Sequence, residues 1–329
     1  MCVFSGELQK LKRSMVIRRS KAFAEGTNKN HISQIRLYIT FCCYFKLRDI
    51  EPETETVCLY VEFLAQNLAS PKAVANYLSA VRFLHRWVGA STESLDAFEV
   101  TLLVRACYMT MKHIPNQKHP LTPDMIRQLL SVAQSQVPHF PVFKCAVLFA
   151  FHGFLRISNI TPRSPAEFNP AKHTCRGDVF QADPGLAVLL KWSKTNQYGQ
   201  NSQLVPLPKT KDPALCPVTA YSELVHLIPT RYSNQPLLSL PVPPGVPITP
   251  VPQSWLATNL AASLESMGED SRFFSFHSFR RSGASTAFQA GVNFAHIKTH
   301  GGWKSDAFWA YVTGVTTGHT PVTEQLALV

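Results

Sequence analysis

The chain has 329 residues, of which 45% are hydrophobic and 16% are charged, and its 32 Lys+Arg against 21 Asp+Glu give a formal net charge of +11. This composition excludes a disordered polymer, and the length predicts two domains, each large enough to bury its own core. No apolar run approaches the roughly 18 residues of a membrane span, and the N-terminus lacks the apolar core of a secretory signal. We therefore expect a soluble, intracellular protein with no membrane partner, whose positive charge suits nucleic acid or another anionic surface.

The cysteines and histidines give little indication of a metal site. The eight cysteines form no C-x-x-C pair, which argues against a zinc ribbon and against a disulfide framework. His296 and His300 are four residues apart, a spacing that can place two metal ligands on one helix face. No Cys, Asp or Glu supplies an evident third ligand near them, so we expect no metal site.

The first third of the chain is predicted to be entirely helical. Apolar residues recur at helical spacing from Val57 to Leu68 and again from Val74 to Val88, and no period-2 alternation separates the two segments. We assign residues 1–112 to a helical N-terminal domain. Near its start, a segment without acidic residues is either a solvated helix face or a DNA-contacting arm or nuclear-targeting patch. Its basic residues are Lys10, Lys12, Arg13, Arg18, Arg19 and Lys21.

Residues 113–120 contain two prolines among polar side chains and are predicted to link this domain to a second one, residues 121–329. Thr122 and Pro123 have the N-cap and first-turn chemistry of a new helix. The apolar stretch that follows, at residues 146–151, predicts a buried helix that ends near Gly153.

Two later segments depart from helical periodicity. Residues 187–190 and 204–207 are apolar and flank a polar stretch at residues 193–201, which predicts a β-hairpin with a long turn. Residues 240–252 contain six prolines, too many for a helix or a central strand, and we expect an irregular surface connection there. Helical periodicity returns from Ser254. The predicted fold class is therefore mainly α (α+β), with a mostly α second domain that contains a small β-hairpin or sheet.

Several polar residues of the second domain each have an ordinary structural explanation. Arg156 follows the buried helix and can cap its end, and Lys194 can be a hairpin-turn lysine. His277 and Arg280 have the i, i+3 spacing of a surface pair. Taken singly, none of these residues indicates a function.

The order and spacing of these residues resemble the catalytic set of the tyrosine recombinases, the phage-integrase family. The motifs that carry the resemblance are, in chain order, Gly153-Phe-Leu-Arg-Ile-Ser158, Trp192-Ser-Lys-Thr-Asn196, His277-Ser-Phe-Arg280, Gly301-Gly-Trp303 and Tyr311. Further likeness lies in Ala75-Asn-Tyr-Leu-Ser-Ala-Val-Arg82, Leu121-Thr-Pro123 and Cys216-Pro-Val-Thr-Ala220, so that it covers roughly residues 50–315. Residues 277–308 look most like recombinases of eukaryotic DIRS or Crypton mobile elements. The resemblance implies that residues 1–112 form a SAM-like core-binding domain that clamps DNA and that residues 121–329 form the catalytic domain.

The resemblance also implies a reaction. Arg156 and Arg280 would bind the non-bridging oxygens of a phosphodiester, and Tyr311 would attack the phosphorus to form a 3′-phosphotyrosyl link. Lys194 would protonate the departing 5′-oxygen, with Lys191 as the competing candidate because the hairpin register is open. The link conserves bond energy, so the reaction requires no ATP, divalent ion or other cofactor.

Two further residues complete the implied site. His277 would assist proton transfer in both directions, since an imidazole titrates near neutral pH. Trp303 occupies the position where the family has His or Trp. An indole N–H donates a hydrogen bond but transfers no proton, so Trp303 would orient and pack.

The chain departs from the family pattern at three places. Asn159 stands where the family commonly has an acid, Arg281 stands where it often has a second histidine, and only residues 312–329 follow Tyr311. The nucleophile and the phosphate-binding groups remain, so we predict an active site-specific recombinase or integrase of double-stranded DNA, working as a homotetramer in the nucleus without a small-molecule substrate. The alternatives are a recombinase-derived DNA-binding protein that no longer cuts, and a strand-relaxing enzyme resembling type IB topoisomerases.

Overall fold

Two compact units make up the chain, Met1–Pro115 and Asn116–Val329. The computed structural model describes residues 2–113, 117–192, 202–230, 232–243 and 245–312. Each unit has its own hydrophobic core. Within the described residues, no helix combines the length and the apolarity that crossing a membrane requires.

The first unit is helical, as its periodicity predicts, and is built around the buried rings of Tyr38 and Tyr60. The helix that begins at Pro71 shows why the sequence folds this way: the Ser70 hydroxyl accepts a hydrogen bond from the N–H of Ala73 at 3.2 Å, and Gly89 ends the helix in a left-handed conformation. The helices are α1 (Cys2–Ser20), α2 (Glu25–Phe45), α3 (Thr54–Asn67), α4 (Pro71–Val88) and α5 (Phe98–Thr110).

The second unit packs its helices around α7, in which every residue from Val142 to Phe151 is buried. This helix ends before Gly153, which confirms the prediction of a buried helix there. It contacts α9 and α11, and the helix before it, α6, begins as predicted with Thr122 as N-cap and Pro123 in its first turn. The helices are α6 (Pro123–Gln136), α7 (Phe140–His152), α8 (Ile157–Ile160), α9 (Pro217–Leu227), α10 (Gln253–Ser266), α11 (Phe276–Gln289) and α12 (Phe294–His300).

A three-stranded antiparallel sheet lies in the second unit, with β1 (Val179–Ala182), β2 (Gly185–Leu190) and β3 (Gln203–Pro208) in spatial order β1-β2-β3. The pairing of Val188 with Val205 shows that β2 and β3 form the predicted hairpin. Its turn, residues 193–201, lies outside the described residues. Strand β1 was not predicted, because it is only four residues long and its side chains do not alternate between buried and exposed.

The proline-rich connection at residues 240–252 is more integrated than the prediction of a surface spacer implied. Its described residues are irregular, but its end is held in the core: Ser239 bridges to Pro250, and the N–H of Val251 donates to the carbonyl of Leu238 at 3.1 Å. Val251 is only 1% exposed. The prediction of a surface location was therefore wrong for the last residues of this segment, because Val251 packs as a core residue.

Residues 117–121 lie against the second unit rather than passing freely over it. The N–H of Leu121 donates to the hydroxyl of Ser282 on α11 at 2.7 Å, and the N–H of His119 donates to the carbonyl of Phe273 at 2.8 Å. The imidazole of His119 also stacks on the ring of Phe273. Half of the segment predicted as a linker is thus fixed to the residues around α11.

Candidate active site

The sequence elements that carry the predicted site meet at one end of α11. Arg156 is the N-cap residue of α8, and His277 and Arg280 lie in the first turns of α11. Trp303 follows α12, and Tyr311 ends a short 3-10 helix, Asp306–Tyr311. Five of the six residues predicted from the sequence are therefore brought together. The sixth, Lys194, falls within residues 193–201, outside the part of the chain that the structure describes.

Arg280 is the most firmly held of these side chains and is only 2% exposed. Its Nη1 donates to the carbonyl of Phe154, and its Nη2 donates to the carbonyl of Gly301 at 2.7 Å. Its Nε is buried and has no hydrogen-bond partner within the described chain. Two carbonyls thus fix the plane of the guanidinium, and an N–H is left for a ligand.

The indole of Trp303 lies over this guanidinium, whose carbon is 4.0 Å from the ring centroid. The ring is 8% exposed, and its Nε1 has no partner among the described residues. A cation over an indole face is a favourable contact, and here it also fixes the ring plane of Trp303. An indole N–H without a partner is an additional hydrogen-bond donor beside Arg280.

Tyr311 lies at the centre of the cluster and is half-buried. Its ring centroid is 5.1 Å from that of Trp303 and 5.0 Å from that of His277, and the carbon of the Arg280 guanidinium is 5.5 Å from it. On the opposite side, the hydroxyl of Ser285 donates to its backbone carbonyl at 3.1 Å, which ties the 3-10 helix to α11.

Arg156 is held in place through Asn159. The N–H of Arg156 donates to Oδ1 of Asn159 at 3.1 Å, and Nδ2 of Asn159 donates to the carbonyl of Trp192 at 3.0 Å. One amide therefore joins the start of α8 to Trp192, two residues after the end of β2. Asn159, which the sequence analysis noted only as a departure from the family pattern, supplies one acceptor and one donor that a carboxylate cannot supply together.

The electrostatics of the cluster are strongly positive. Among the described residues, no carboxylate lies within ion-pair distance of Arg156, Arg280 or Arg281. Burial lowers the pKa of all three, and the charge of Arg156 lowers that of Arg280 further. Arg156 and Arg280 line one narrow cleft together with Asn159, Gln203 and Gly301. Two guanidiniums without a carboxylate partner at one cleft are suited to binding an anion.

His277 is neutral in this environment. Loss of hydration around the ring, together with the charges of Arg280, Arg156 and Arg281, lowers its pKa to about 4. The His277 side chain nevertheless has exposed surface. A bound anion would offset the arginine charges and so cancel their contribution to the lowered pKa. A neutral imidazole can accept a proton from a neighbouring hydroxyl.

Lys191, the alternative to Lys194 in the sequence analysis, is engaged elsewhere. Its Nζ lies 2.6 Å from Oδ2 of Asp178, and the same carboxylate oxygen accepts a hydrogen bond from the N–H of Cys175 at 2.7 Å. This part-buried ion pair joins the end of β2 to the turn before β1. Lys191 thus has a structural partner in Asp178. Of the two candidates for the general acid, Lys194 is the one without an assigned structural role, and it lies outside the described residues.

Three residues near the cluster were missed or undervalued in the sequence. Phe154 has a left-handed backbone (φ 47°) and offers its carbonyl to Arg280. Gln203 of β3 donates to the carbonyls of Thr299 and His300, at 3.1 and 2.8 Å. The third, Arg281, is buried beside the site. Only Arg281 left a sequence signal, as a second arginine directly after Arg280.

The histidine pair at residues 296 and 300 does not form a metal centre with its neighbours. His300 Nε2 is 2.7 Å from the carbonyl of His152, and the described part of the chain contains no group of three or more His, Cys, Asp or Glu side chains placed to hold a metal ion.

The fold of this chain is similar to those of several solved structures. No family model and no curated protein matches the sequence. Among solved structures, a lambda integrase dimer bound to a COC′ core site superposes with a TM-score of 0.59 at 14% identity, over 94% of this chain and 78% of that chain. The Tn1549 transposon integrase (residues 82–397) in complex with circular intermediate DNA gives a TM-score of 0.56 at 12% identity, over 96% and 97%.

A third similar structure is the XerH site-specific recombinase bound to palindromic difH substrate in a post-cleavage complex, with a TM-score of 0.50 at 13% identity, over 84% of this chain and 69% of that chain. Identities this low show a shared fold, and they confirm the predicted mainly α class with its small sheet. This chain therefore shares its fold with lambda integrase, the Tn1549 transposon integrase and the XerH site-specific recombinase.

Proposed function

We propose that this protein is a site-specific DNA recombinase or integrase that cleaves and rejoins strands through a 3′-phosphotyrosyl intermediate. The observation that carries the proposal is the position of Tyr311 beside Arg280, with Arg156 and Arg281 also acting on it electrostatically and no carboxylate paired to these guanidiniums among the described residues. Such a site binds the negative charge that gathers on the non-bridging oxygens during attack at phosphorus.

The reaction balances with the groups of the chain alone. The phenol oxygen of Tyr311 attacks phosphorus, the bond from phosphorus to the 5′-oxygen breaks, and the phenolic proton passes to the neutral imidazole of His277. Lys194 donates a proton to the departing 5′-oxygen. In the return step a 5′-hydroxyl attacks the phosphotyrosine, and the same groups act in the opposite sense.

Partners and setting are part of the proposal. The lambda integrase structures include a tetramer bound to a Holliday junction, which supports a homotetramer on synapsed double-stranded DNA for this chain as well. We further propose that the two units act as a core-binding and a catalytic domain, that the protein belongs to a DIRS- or Crypton-like mobile element, and that it works in the nucleus. The sequence resemblance and the basic segment at residues 10–21 support these last points.

The test is to incubate the purified protein, and a Tyr311→Phe variant, with negatively supercoiled DNA that carries the candidate ends of the element. Magnesium is omitted, and the reaction is quenched with SDS. We expect a covalent protein–DNA adduct in the wild type and none in the variant. Adducts with relaxation but no recombinant product indicate a type IB-like enzyme. Binding without any adduct indicates a recombinase-derived DNA-binding protein.

A further inference from the structure

Arg281 is a buried arginine that has no carboxylate partner among the described residues. It is 6% exposed, its Nη1 donates to Oε1 of Gln117 at 3.2 Å, and its Nε is buried without a partner in the described chain. Burying an ionised group is costly unless the charge is paired, so an arginine in this position needs an anion.

Other arginines of the protein show the contrast. Arg82 is paired with Asp96, Arg127 with Asp212 and Arg272 with Asp270, at 2.6, 2.9 and 2.7 Å. Each of these side chains is more exposed than that of Arg281. Arg281 thus differs from these three arginines in being buried and in having no carboxylate partner among the described residues. Arg280 and Arg176, at 2% and 3% exposed, have the same two properties.

The electrostatic neighbours of Arg281 are those of the proposed reaction. His277, Arg281 and Ser285 follow one another at four-residue spacing on one face of α11. Tyr311 lies against that face: its ring centroid is 5.0 Å from that of His277, and its backbone carbonyl accepts a hydrogen bond from the Ser285 hydroxyl at 3.1 Å. The charge of Arg281 also lowers the pKa of His277, together with those of Arg280 and Arg156. A non-bridging phosphate oxygen held between Arg280 and Tyr311 would lie within the field of Arg281 as well. The family pattern assigns phosphate binding to two arginines, and here a third lies beside them.

We propose that Arg281 is a third phosphate-binding residue, which donates from its Nε to a non-bridging oxygen of the phosphodiester that Tyr311 attacks. This inference rests on the proposed function. Gln117 is its positioning residue, because its Oε1 accepts a hydrogen bond from Nη1 and leaves Nε for the phosphate. Gln117 is exposed, and the chain that follows it is bonded to the rest of the second unit through His119 and Leu121.

The first test needs no DNA. Thermal unfolding of the full chain is followed in increasing sodium phosphate, with sodium chloride at matched ionic strength as reference. Since a ligand that binds the folded state raises Tm, we expect phosphate to stabilise the wild type beyond chloride. Arg281→Met should require about tenfold more phosphate for the same rise, as losing one charge-assisted hydrogen bond implies. Arg281→Lys, which keeps the charge, should lie between them.

The matched control is Arg272→Met, because the Arg272 side chain is 85% exposed and pairs with Asp270 in its own turn. It should keep the wild-type phosphate response. Gln117→Ala should weaken the phosphate-dependent rise in Tm when Arg281 is present and should have no further effect on it in the Arg281→Met variant. If Gln117 had only a structural role, its substitution would have the same effect in both backgrounds. A phosphate response that is absent in the wild type, or unchanged in Arg281→Met, overturns the inference.

The second test uses cleavage of a DNA site with a methylphosphonate at the cleaved position, in which a methyl group replaces a charged oxygen. Arg281→Met should reduce adduct formation about tenfold or more on the phosphodiester and clearly less on the methylphosphonate. Equal losses on both substrates contradict the inference while leaving the proposed function intact. Absence of any adduct with the wild type, alongside a normal phosphate response, contradicts the proposed function instead.

Discussion

The indole ring of Trp303 covers Gly301 so closely that no side chain fits between them. A Cβ at position 301 would lie 1.8 Å from Cζ3 of Trp303. The carbonyl of the same glycine accepts the Nη2–H of Arg280, and the indole lies over that guanidinium. Gly301 therefore contacts both residues: its carbonyl holds Arg280, and its lack of a side chain leaves room for the ring of Trp303.

Gly301→Ala should therefore displace the indole from Arg280. We expect a lower Tm and a loss of adduct formation of about tenfold or more, because the shift removes both the stacking and the orientation of the Nε1–H. Near-ultraviolet circular dichroism would report the displaced ring. Gly26→Ala is the control, since a Cβ there meets nothing within 4 Å and α2 is helical at that position. It should leave adduct formation unchanged, and a Gly301→Ala variant that behaves like it would contradict this account.

His277 should titrate well below an ordinary histidine. Its pKa of about 4 in the folded chain lies below 6.5, so between these values the unfolded state binds the proton more tightly. The stability that the neutral ring contributes is complete above pH 6.5 and is lost as the pH falls towards 4. Wild-type Tm should fall more steeply over this window than that of His277→Asn.

Nuclear magnetic resonance of the histidine rings gives a direct measurement, with His277→Asn to assign the signal. Added phosphate should raise the pKa of His277, since a bound anion offsets the arginine charges. A pKa near 6.5 in the phosphate-free protein would show that the arginines do not act on this ring as the geometry requires.

Asn159 gives a prediction that runs against the family pattern. Restoring an acid with Asn159→Asp removes the Nδ2–H that Trp192 accepts and sets a carboxylate oxygen against its carbonyl. An unsatisfied carbonyl costs about 1–3 kcal/mol when it is fully buried. Because this contact is part-buried, we expect a loss towards the lower end of that range, seen as unfolding at a lower denaturant concentration. Asn67→Asp is a matched control, because Asn67 is exposed and donates to a carbonyl within its own helix. An acid at 159 that is tolerated as well as one at 67 would refute this role.

The two lysines at the hairpin can be separated by the leaving group. If Lys194 is the general acid, Lys194→Met should abolish adduct formation on ordinary DNA and recover on a substrate whose leaving oxygen is replaced by sulfur, because a thiolate departs without a proton. Lys191→Met should show no such selective recovery and should instead lower Tm, since it leaves Asp178 without its partner. The reverse pattern would assign the role to Lys191.

The sequence predicted those parts of the molecule that depend on local chemistry. Residues 146–151 are apolar without interruption and lie in the buried helix α7, and Thr122 with Pro123 begins α6 as expected. The four-residue strand β1 escaped because its length and pattern carry no periodic signal. Val251 was misplaced because prolines around it indicate an irregular backbone but say nothing of burial.

The site divides in the same way. The order of the motifs was enough to choose Arg156, His277, Arg280, Trp303 and Tyr311, which the fold then brings together. What could not be predicted depends on contacts between distant segments. The partner of Asn159 is the carbonyl of Trp192, 33 positions away, and that of Arg281 is Gln117, 164 positions away. No local pattern encodes such pairs, so both residues looked like simple departures from a family pattern.

Gln203 has a mechanical consequence. Its amide connects the first residue of β3 to the last carbonyls of α12, just before Gly301 and Trp303. A strand and a helix end joined by two hydrogen bonds move together. In the proposed reaction, a displacement of β3 on DNA binding would therefore shift the indole as well, so that the strand and the ring over Arg280 would move in one concerted step.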